Sequence, residues 1–179
     1  MERLNENLNS LFYDRWSNQK IAERLADVIT HEVELISLKD QAVDFAEKIA
    51  NADQIVIGAS IRYGHFNPLV YQFVEQHYPA LNAKKTAFYG VNLTARKDNR
   101  NTPETNTYVR KFLAKVKWKP THIEVIAGAL LYLRYKPFDR LMIRFIMKIT
   151  KGETDTSKEY EYTDWQQVEN FGKLLANQL

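Results

Sequence analysis

Gln54-Ile55-Val56-Ile57-Gly58-Ala59-Ser60 is a short apolar run that closes on small residues. A run of this kind suits a strand buried on both faces of a parallel sheet and followed by a functional loop. Working outward, 86–93 (TAFYGVNL) and 122–130 (HIEVIAGAL) repeat the pattern, and 33–38 (VELISL) reads as a further short strand. Between them lie stretches with helical spacing: 21–30, with Ile21, Leu25, Val28 and Ile29 on one face, then 68–81, 106–116 and 164–175. Pro68 stands at a helix start, where its missing N–H costs nothing. Strands alternating with helices predict an α/β domain, a parallel sheet covered on both faces with right-handed crossovers. Ligands of such sheets sit outside the carboxyl ends of the strands at the switch in strand order. The loops after Ser60, Leu93 and Leu130 therefore carry the expected site.

The chain has 179 residues, no cysteine and a formal net charge of +3. That length fits one domain, 1–179, with an insert over about 131–162. The missing cysteines exclude disulfides, thiolate metal sites and cysteine catalysis. The mild charge gives no case for nucleic acid, and no apolar run reaches the length of a membrane span or the form of a signal peptide. There is no Ser-His-Asp constellation, and four scattered histidines make no metal site. His65 sits in one of the three loops, but a lone loop histidine does not identify a catalytic base, and none is named.

The insert carries its own signal. Residues 137–151 read PFDRLMIRFIMKITK, with Pro137 at a helix start and Gly152 at its end. Arg140, Arg144 and Lys148 repeat at i, i+4 and i+8, while Leu141, Met142, Ile143, Phe145, Ile146, Met147 and Ile149 fill the remaining surface. Such a helix is too apolar for free solvation and too short to cross a bilayer. It fits either an interfacial membrane helix or a helix packed on its own domain with snorkelling arginines.

Several motifs occur in order: Gly58-Ala59-Ser60-Ile61-Arg62-Tyr63-Gly64-His65, then Tyr89-Gly90-Val91-Asn92-Leu93-Thr94-Ala95-Arg96-Lys97, then Asn101-Thr102-Pro103-Glu104-Thr105-Asn106 and Ala127-Gly128-Ala129-Leu130, and later Gly152-Glu153-Thr154-Asp155-Thr156 and Tyr162-Thr163-Asp164-Trp165. From about Ile21 to the C-terminus the set resembles the menaquinone-dependent protoporphyrinogen IX dehydrogenases, which have a long-chain flavodoxin-like fold. The resemblance implies a doubly wound five-stranded sheet of order 2-1-3-4-5, with a basic amphipathic helix inserted before the last helix. It implies FMN-dependent oxidation of protoporphyrinogen IX to protoporphyrin IX in haem biosynthesis, with menaquinone, ubiquinone or another quinone as acceptor. The implied location is the cytoplasmic side of the bacterial inner membrane, peripherally bound; self-association is left open. Carried over by position, Tyr13, Asp14, Arg15, Trp16, Ser17 and Asn18 fall on the phosphate side of FMN. Ser60, Ile61, Arg62, Tyr63 and Gly64, then Asn92, Leu93, Thr94, Ala95 and Arg96, and finally Gly128 and Ala129 fall around its ring and ribityl chain. Arg62, Arg96 and Arg134 are candidates for the substrate's propionates, because guanidinium matches carboxylate. Arg140, Arg144, Phe145 and Lys148 are the membrane-facing candidates.

One stretch departs from the family. Where its members have a Ser/Thr/Gly-rich loop closing on Gly-Gln-Thr, residues 9–20 here read NSLFYDRWSNQK, with no glycine and with Trp16 in the glycine's place. Upstream, Asn5-Glu6-Asn7-Leu8-Asn9 is poor material for a buried strand, so the first strand is expected to be degraded. With assumed codons TGG-TCA-AAC-CAA for Trp16 to Gln19, a shift of one base reads Gly-Gln-Thr. A shifted frame before about Ile21 and a diverged loop are both open. Two further readings stand beside the enzyme: a flavodoxin-like FMN electron carrier, and a non-catalytic product of the frameshifted loop.

Overall fold

The computed structural model describes residues 8–14, 16–29 and 31–177, with Trp16 and Ser17 described in their backbone. The strands of the central sheet are β1 (Leu8–Tyr13), β2 (Glu32–Ser37), β3 (Gln54–Arg62), β5 (Lys85–Asn92) and β6 (His122–Ala127). Their order is β2-β1-β3-β5-β6, all parallel. A two-residue strand β4 (His65–Phe66) folds back on β3 through the Tyr63-Gly64 turn and lies off this path. Leaving β4 out, the order is the expected 2-1-3-4-5.

Helices cover both faces, as the near-continuous apolar strands require. On one face α2 (Phe45–Asn51), α3 (Pro68–Asn82) and α4 (Thr107–Lys115) enclose Phe12, Ile55, Ile57, Phe88, Phe112 and Trp118. Phe88 and Phe112 stack with ring centroids 4.7 Å apart. Trp118 is fully buried and its indole N–H donates to Thr86 Oγ1 at 3.0 Å. On the other face α1 (Trp16–Val28) and α6 (Trp165–Ala176) enclose Leu11, Ile21, Leu25, Val56, Tyr89, Ile126 and Phe171. The two helices approach closely at Gly172, where a Cβ would come within 2.8 Å of Val28 Cγ1, and Arg24 pairs with Glu169 across the seam. Asp44, Asn67, Asn106 and Asp164 cap α2, α3, α4 and α6 by accepting hydrogen bonds from first-turn N–H groups.

Three expectations change. The first strand is not degraded: Leu8–Tyr13 pairs with both β2 and β3, driven by Leu11 and Phe12, which are fully buried on opposite faces. The polar residues upstream point to a weak strand, yet Leu11-Phe12 suffices for a central one; Asn5 to Asn7 lie outside the described residues. The run 122–130 is two strands. β6 ends at Ala127, Gly128 turns the chain, and β7 (Ala129–Leu131) pairs antiparallel with β8 (Glu159–Glu161) in a separate ribbon. Finally, α2 was not anticipated. Its seven residues offer only Phe45 and Ile49 as an apolar pair, too short a pattern to read.

The insert forms α5 (Pro137–Ile149), as expected. It is tied down by Met147, buried against Leu130 and Tyr132, with Ile143 packed beside them. Phe138, Leu141, Phe145 and Ile149 remain more than 60 % exposed.

Candidate functional site

The loops after β1, β3, β5 and β6 meet at the carboxyl edge of the sheet, on either side of the β1/β3 switch point. Near the end of β3 Ser60 is buried and Arg62 exposed, and Tyr63 and Gly64 in the turn that follows are exposed. Tyr63 takes a left-handed backbone (φ 51°) and Gly64 does too (φ 86°), so this tight turn presents the Tyr63 ring to solvent at 45 % exposure. A tyrosine held in that region is strained, and such strain gathers at functional sites. The Arg62 guanidinium lies 5.1 Å from the Tyr63 ring centre. Both side chains also converge on the carboxylate of Asp139 in the first turn of α5: Arg62 pairs with it and the Tyr63 hydroxyl donates to it.

After β5, Asn92 organises the loop. Its Oδ1 accepts from Thr94 Oγ1 (2.6 Å), from the Ala95 N–H (3.1 Å) and from Asn106 Nδ2 (3.1 Å). This holds a 3-10 turn over Leu93–Arg96. Asn92 is 4 % exposed, and its Nδ2 has no hydrogen-bond partner among the described residues. A buried amide donor without a partner is rare and points to a missing acceptor. Next to it, the Gly128 N–H reaches back to Asn92 O at 3.4 Å. Ala129 opens β7 and pairs with Glu161, so of the last two candidates only Gly128 lies in the loop itself.

The arginine candidates separate. Arg62 is the last residue of β3 and pairs with His65 across the Tyr63-Gly64 turn. Arg96 donates to Leu93 O (2.6 Å) and to the Thr150 carbonyl (3.4 Å), tying the loop to the end of α5. Arg134 pairs with Glu159 at 3.0 Å on the ribbon. Of the basic stripe, Arg140 donates to Tyr132 O at 3.0 Å, while Arg144 and Lys148 are exposed. Asn106, in sequence only the last residue of a motif, is fully buried and joins the α4 cap to Asn92. An asparagine just before a helical pattern was the available signal.

After β1 the arrangement differs. Residues 9–20 were aligned with a phosphate loop, but Asn9 to Tyr13 are strand and Trp16 begins α1, so only Asp14 and Arg15 lie between. Arg15 and the side chains of Trp16 and Ser17 lie outside the described residues. Tyr13 is in the strand, paired with Ser37 and Gly58. Asp14 is fully buried; its Oδ1 accepts from Asn18 Nδ2 at 2.6 Å and from the Ser60 N–H at 3.2 Å. The Tyr89 hydroxyl completes the cluster, donating to Asn18 O at 3.5 Å, and Gly58 leaves room for its ring. Burial, with the nearby Asp14 carboxylate adding to it, pushes the Tyr89 phenol far above its ordinary range, so it remains a neutral donor.

This strand order, with its loop cluster at the switch point, defines a flavodoxin-class domain. Residues 17–157 match the family model of the flavodoxin domain. An archaeal flavodoxin superposes with a TM-score of 0.54 at 17% identity, covering 96% of this chain and 97% of that one. Rubredoxin oxygen:oxidoreductase from Desulfovibrio gigas superposes with a TM-score of 0.53 at 14% identity, covering 96% of this chain and 36% of that one. Among sequence relatives, protoporphyrinogen IX dehydrogenase [quinone] of Escherichia coli K12 is 54% identical over 127 residues, covering 71% of this chain and 70% of that protein. The protein of the same name from Leishmania major is 47% identical over 156 residues, covering 87% of this chain and 66% of that protein. The chain belongs to the quinone-dependent protoporphyrinogen IX dehydrogenase family.

The site fits a flavin unevenly. The ring side offers the Asn92 Nδ2 donor, a presented aromatic at Tyr63 and a small residue at Gly128. On the phosphate side the described residues show the buried Asp14 carboxylate, while Arg15 and the side chains of Trp16 and Ser17 lie outside them. The flavodoxin match begins at residue 17, so β1 and this turn lie outside it.

Proposed function

We propose that this chain oxidises protoporphyrinogen IX to protoporphyrin IX, with FMN as its redox cofactor and menaquinone or another quinone as the electron acceptor. The 54% identity to an enzyme of that name carries the reading. Bound flavin supplies the electron-accepting ring; the protein supplies binding, orientation and electrostatics. Asn92 Nδ2, the Tyr63 side chain and the backbone of the turns after β3 and β5 would hold the flavin. Arg62 and the Tyr63 hydroxyl form a carboxylate clasp, with Asp139 as its present occupant. A propionate of the substrate takes the place of Asp139, since guanidinium and phenol together recognise that group. Arg96 and Arg134 serve structure instead, through their bonds to the chain and to Glu159.

In the same reading α5 rests on a membrane surface from which quinone arrives. What supports this is the exposed row Phe138, Leu141, Phe145 and Ile149 beside the exposed cations Arg144, Lys148 and Lys151. A shallow depression of about 220 Å³ lined by Pro137, Arg140, Leu141, Arg144 and Thr156 lies on this side. It is smaller than a typical small-molecule site of roughly 300–1,000 Å³, so it suits a headgroup rather than a tetrapyrrole.

The test is direct. Purified chain, FMN, a quinone and protoporphyrinogen IX are combined anaerobically, and porphyrin fluorescence is followed. Fluorescence should rise only when both flavin and quinone are present. Flavin reduction by a partner reductase with no porphyrin formed would instead favour a flavodoxin-like electron carrier. The departure before Ser17 keeps a second reading in view, a frameshifted phosphate loop. Genomic codons for Trp16 to Gln19 that cannot spell a phosphate loop in another frame would remove it.

A further inference from the structure

We propose that Asp139 is a built-in competitor for the substrate's carboxylate: it keeps the Arg62–Tyr63 clasp shut and, when a propionate displaces it, releases the first turn of α5. This deepens the clasp reading above and rests on it. Asp139 lies in the first turn of α5, and the N-cap residue Lys136 makes no side-chain bond to that turn. The positive end of a helix suits an acid on its own account. This carboxylate nevertheless reaches across to the end of β3, where one oxygen takes the Arg62 guanidinium and the other the Tyr63 hydroxyl. Arg62 Nη2 lies 3.5 Å from that hydroxyl. The two donors therefore form one receiver for one carboxylate, and Asp139 occupies it as a free acid would.

The occupancy is reversible on three grounds. The Arg62 side chain is 43 % exposed and that of Asp139 14 %, so solvent and solutes reach the guanidinium, and an ion pair this open is weak. Arg62 meets Asp139 through Nη2, whereas a free carboxylate can take the guanidinium fork with two parallel bonds. Tethering works the other way, since a residue held beside the clasp competes at a high effective concentration. The result is a modest closed population that an incoming carboxylate displaces at some cost in affinity.

The helix is also fastened unequally. Near its C-terminal end Met147 is buried, the Gly152 N–H bonds Met147 O at 2.8 Å, and Arg96 holds the Thr150 carbonyl. At its other end Phe138 and Leu141 are exposed, and Arg140 bonds Tyr132 O in the helix's own lead-in. Asp139 is what joins this first turn to β3. Displacing it loosens the N-terminal end and leaves the C-terminal end fixed.

Titration of the purified full chain with protoporphyrin IX and with its dimethyl ester, both in the same mild detergent, tests this through the shift of the porphyrin absorption band. Asp139→Ala should bind the acid about fivefold more tightly than the wild type does, with the ester within about twofold. Asp139→Asn, which keeps an acceptor and loses the charge, should move the ratio the same way by less. Arg62→Ala should weaken binding of the acid alone, and adding Asp139→Ala to it should then change nothing. Circular dichroism checks that each variant folds. Hydrogen exchange of amides 140–143 gives a second readout. It should quicken in Asp139→Ala, and in the wild type on adding the acid but not the ester. A folded Asp139→Ala chain with the wild-type acid-to-ester ratio overturns the proposal, as does wild-type exchange that the acid leaves unmoved. Equal loss of both porphyrins in Asp139→Ala also overturns it and makes Asp139 a helix anchor only. If Arg62→Ala weakens the acid while both Asp139 variants leave the ratio unchanged, the clasp reading stands and the competitor alone falls. If no chain distinguishes acid from ester, the clasp reading itself fails and this falls with it.

Discussion

At the β5 and β6 end of the sheet, polar groups are arranged around a donor that the protein does not use: Asn92 Oδ1 is saturated by three hydrogen bonds while Nδ2 stays buried without a partner among the described residues. At the β1 end, on the other side of β3, polar groups close on one another through Asp14, Asn18 and Ser60. Both ends have the same backbone plan, a parallel strand running into a turn and then a helical segment. The difference shows that strand order alone fixes where a ligand belongs, and the side chains in each turn decide whether it is received.

The sharpest way to break this comparison is to damage the half that is held to be sound. Phe88→Ala removes a fully buried ring stacked on Phe112 and edge-on to Phe66 and Trp118. It should cost about 3–5 kcal/mol and lower Tm by roughly 10 °C or more. A loss under about 1 kcal/mol would mean the β5 half is not the core it looks like. Asn92→Ala strips the cap from the turn after β5 and the link to Asn106, for an expected loss of about 1–2 kcal/mol in urea unfolding. Flavin affinity should fall in the same variant, since the unpartnered donor goes with it.

Ser10→Ala probes the other half. Ser10 is fully buried in β1, and its hydroxyl has no partner among the described residues. Removing it should leave stability unchanged or raise it by about 1 kcal/mol. Destabilisation beyond that would mean the polar strand is better satisfied than it looks. The smallest effect is a pH dependence. Burial holds the His77 imidazole below its ordinary value, partly offset by Asp44. Folding then binds fewer protons, so stability is present above the unfolded pKa of about 6.5 and is lost as pH falls through it toward the folded value. His77→Gln should flatten that part of the Tm–pH curve, and an unchanged curve would contradict the assignment.

The buried strands, the covering helices and the amphipathic α5 were legible because each rests on a pattern longer than a turn, while the sheet order followed only from the family resemblance. The site was legible only where a motif carried it. Ser60 to Arg62 still belong to β3, Tyr63-Gly64 and Leu93 to Arg96 form turns at the carboxyl edge, and nothing in the run Asn92 to Arg96 says that Oδ1 is consumed and Nδ2 is not. The break at Gly128 was hidden because 122–130 is apolar throughout, and apolarity does not record a change of pairing partner. The first strand was misjudged for the opposite reason. Asn9 and Ser10 look wrong for a core, and two buried neighbours, Leu11 and Phe12, outweigh them. Asp14 is the clearest limit of sequence reading: only the fold shows its Oδ1 accepting from Asn18 and Ser60.

Arg96 acts as a strut. One end of its guanidinium is fixed to the turn that follows Asn92, the other to Thr150 where α5 stops, and Gly152 leaves the room it needs. The exposed helix and the ring-side loop are therefore mechanically in series. Anything that settles on α5 and tilts it pulls on the segment that aims the Asn92 amide. An inserted helix wired this way can report its surroundings to the sheet edge without altering a single strand.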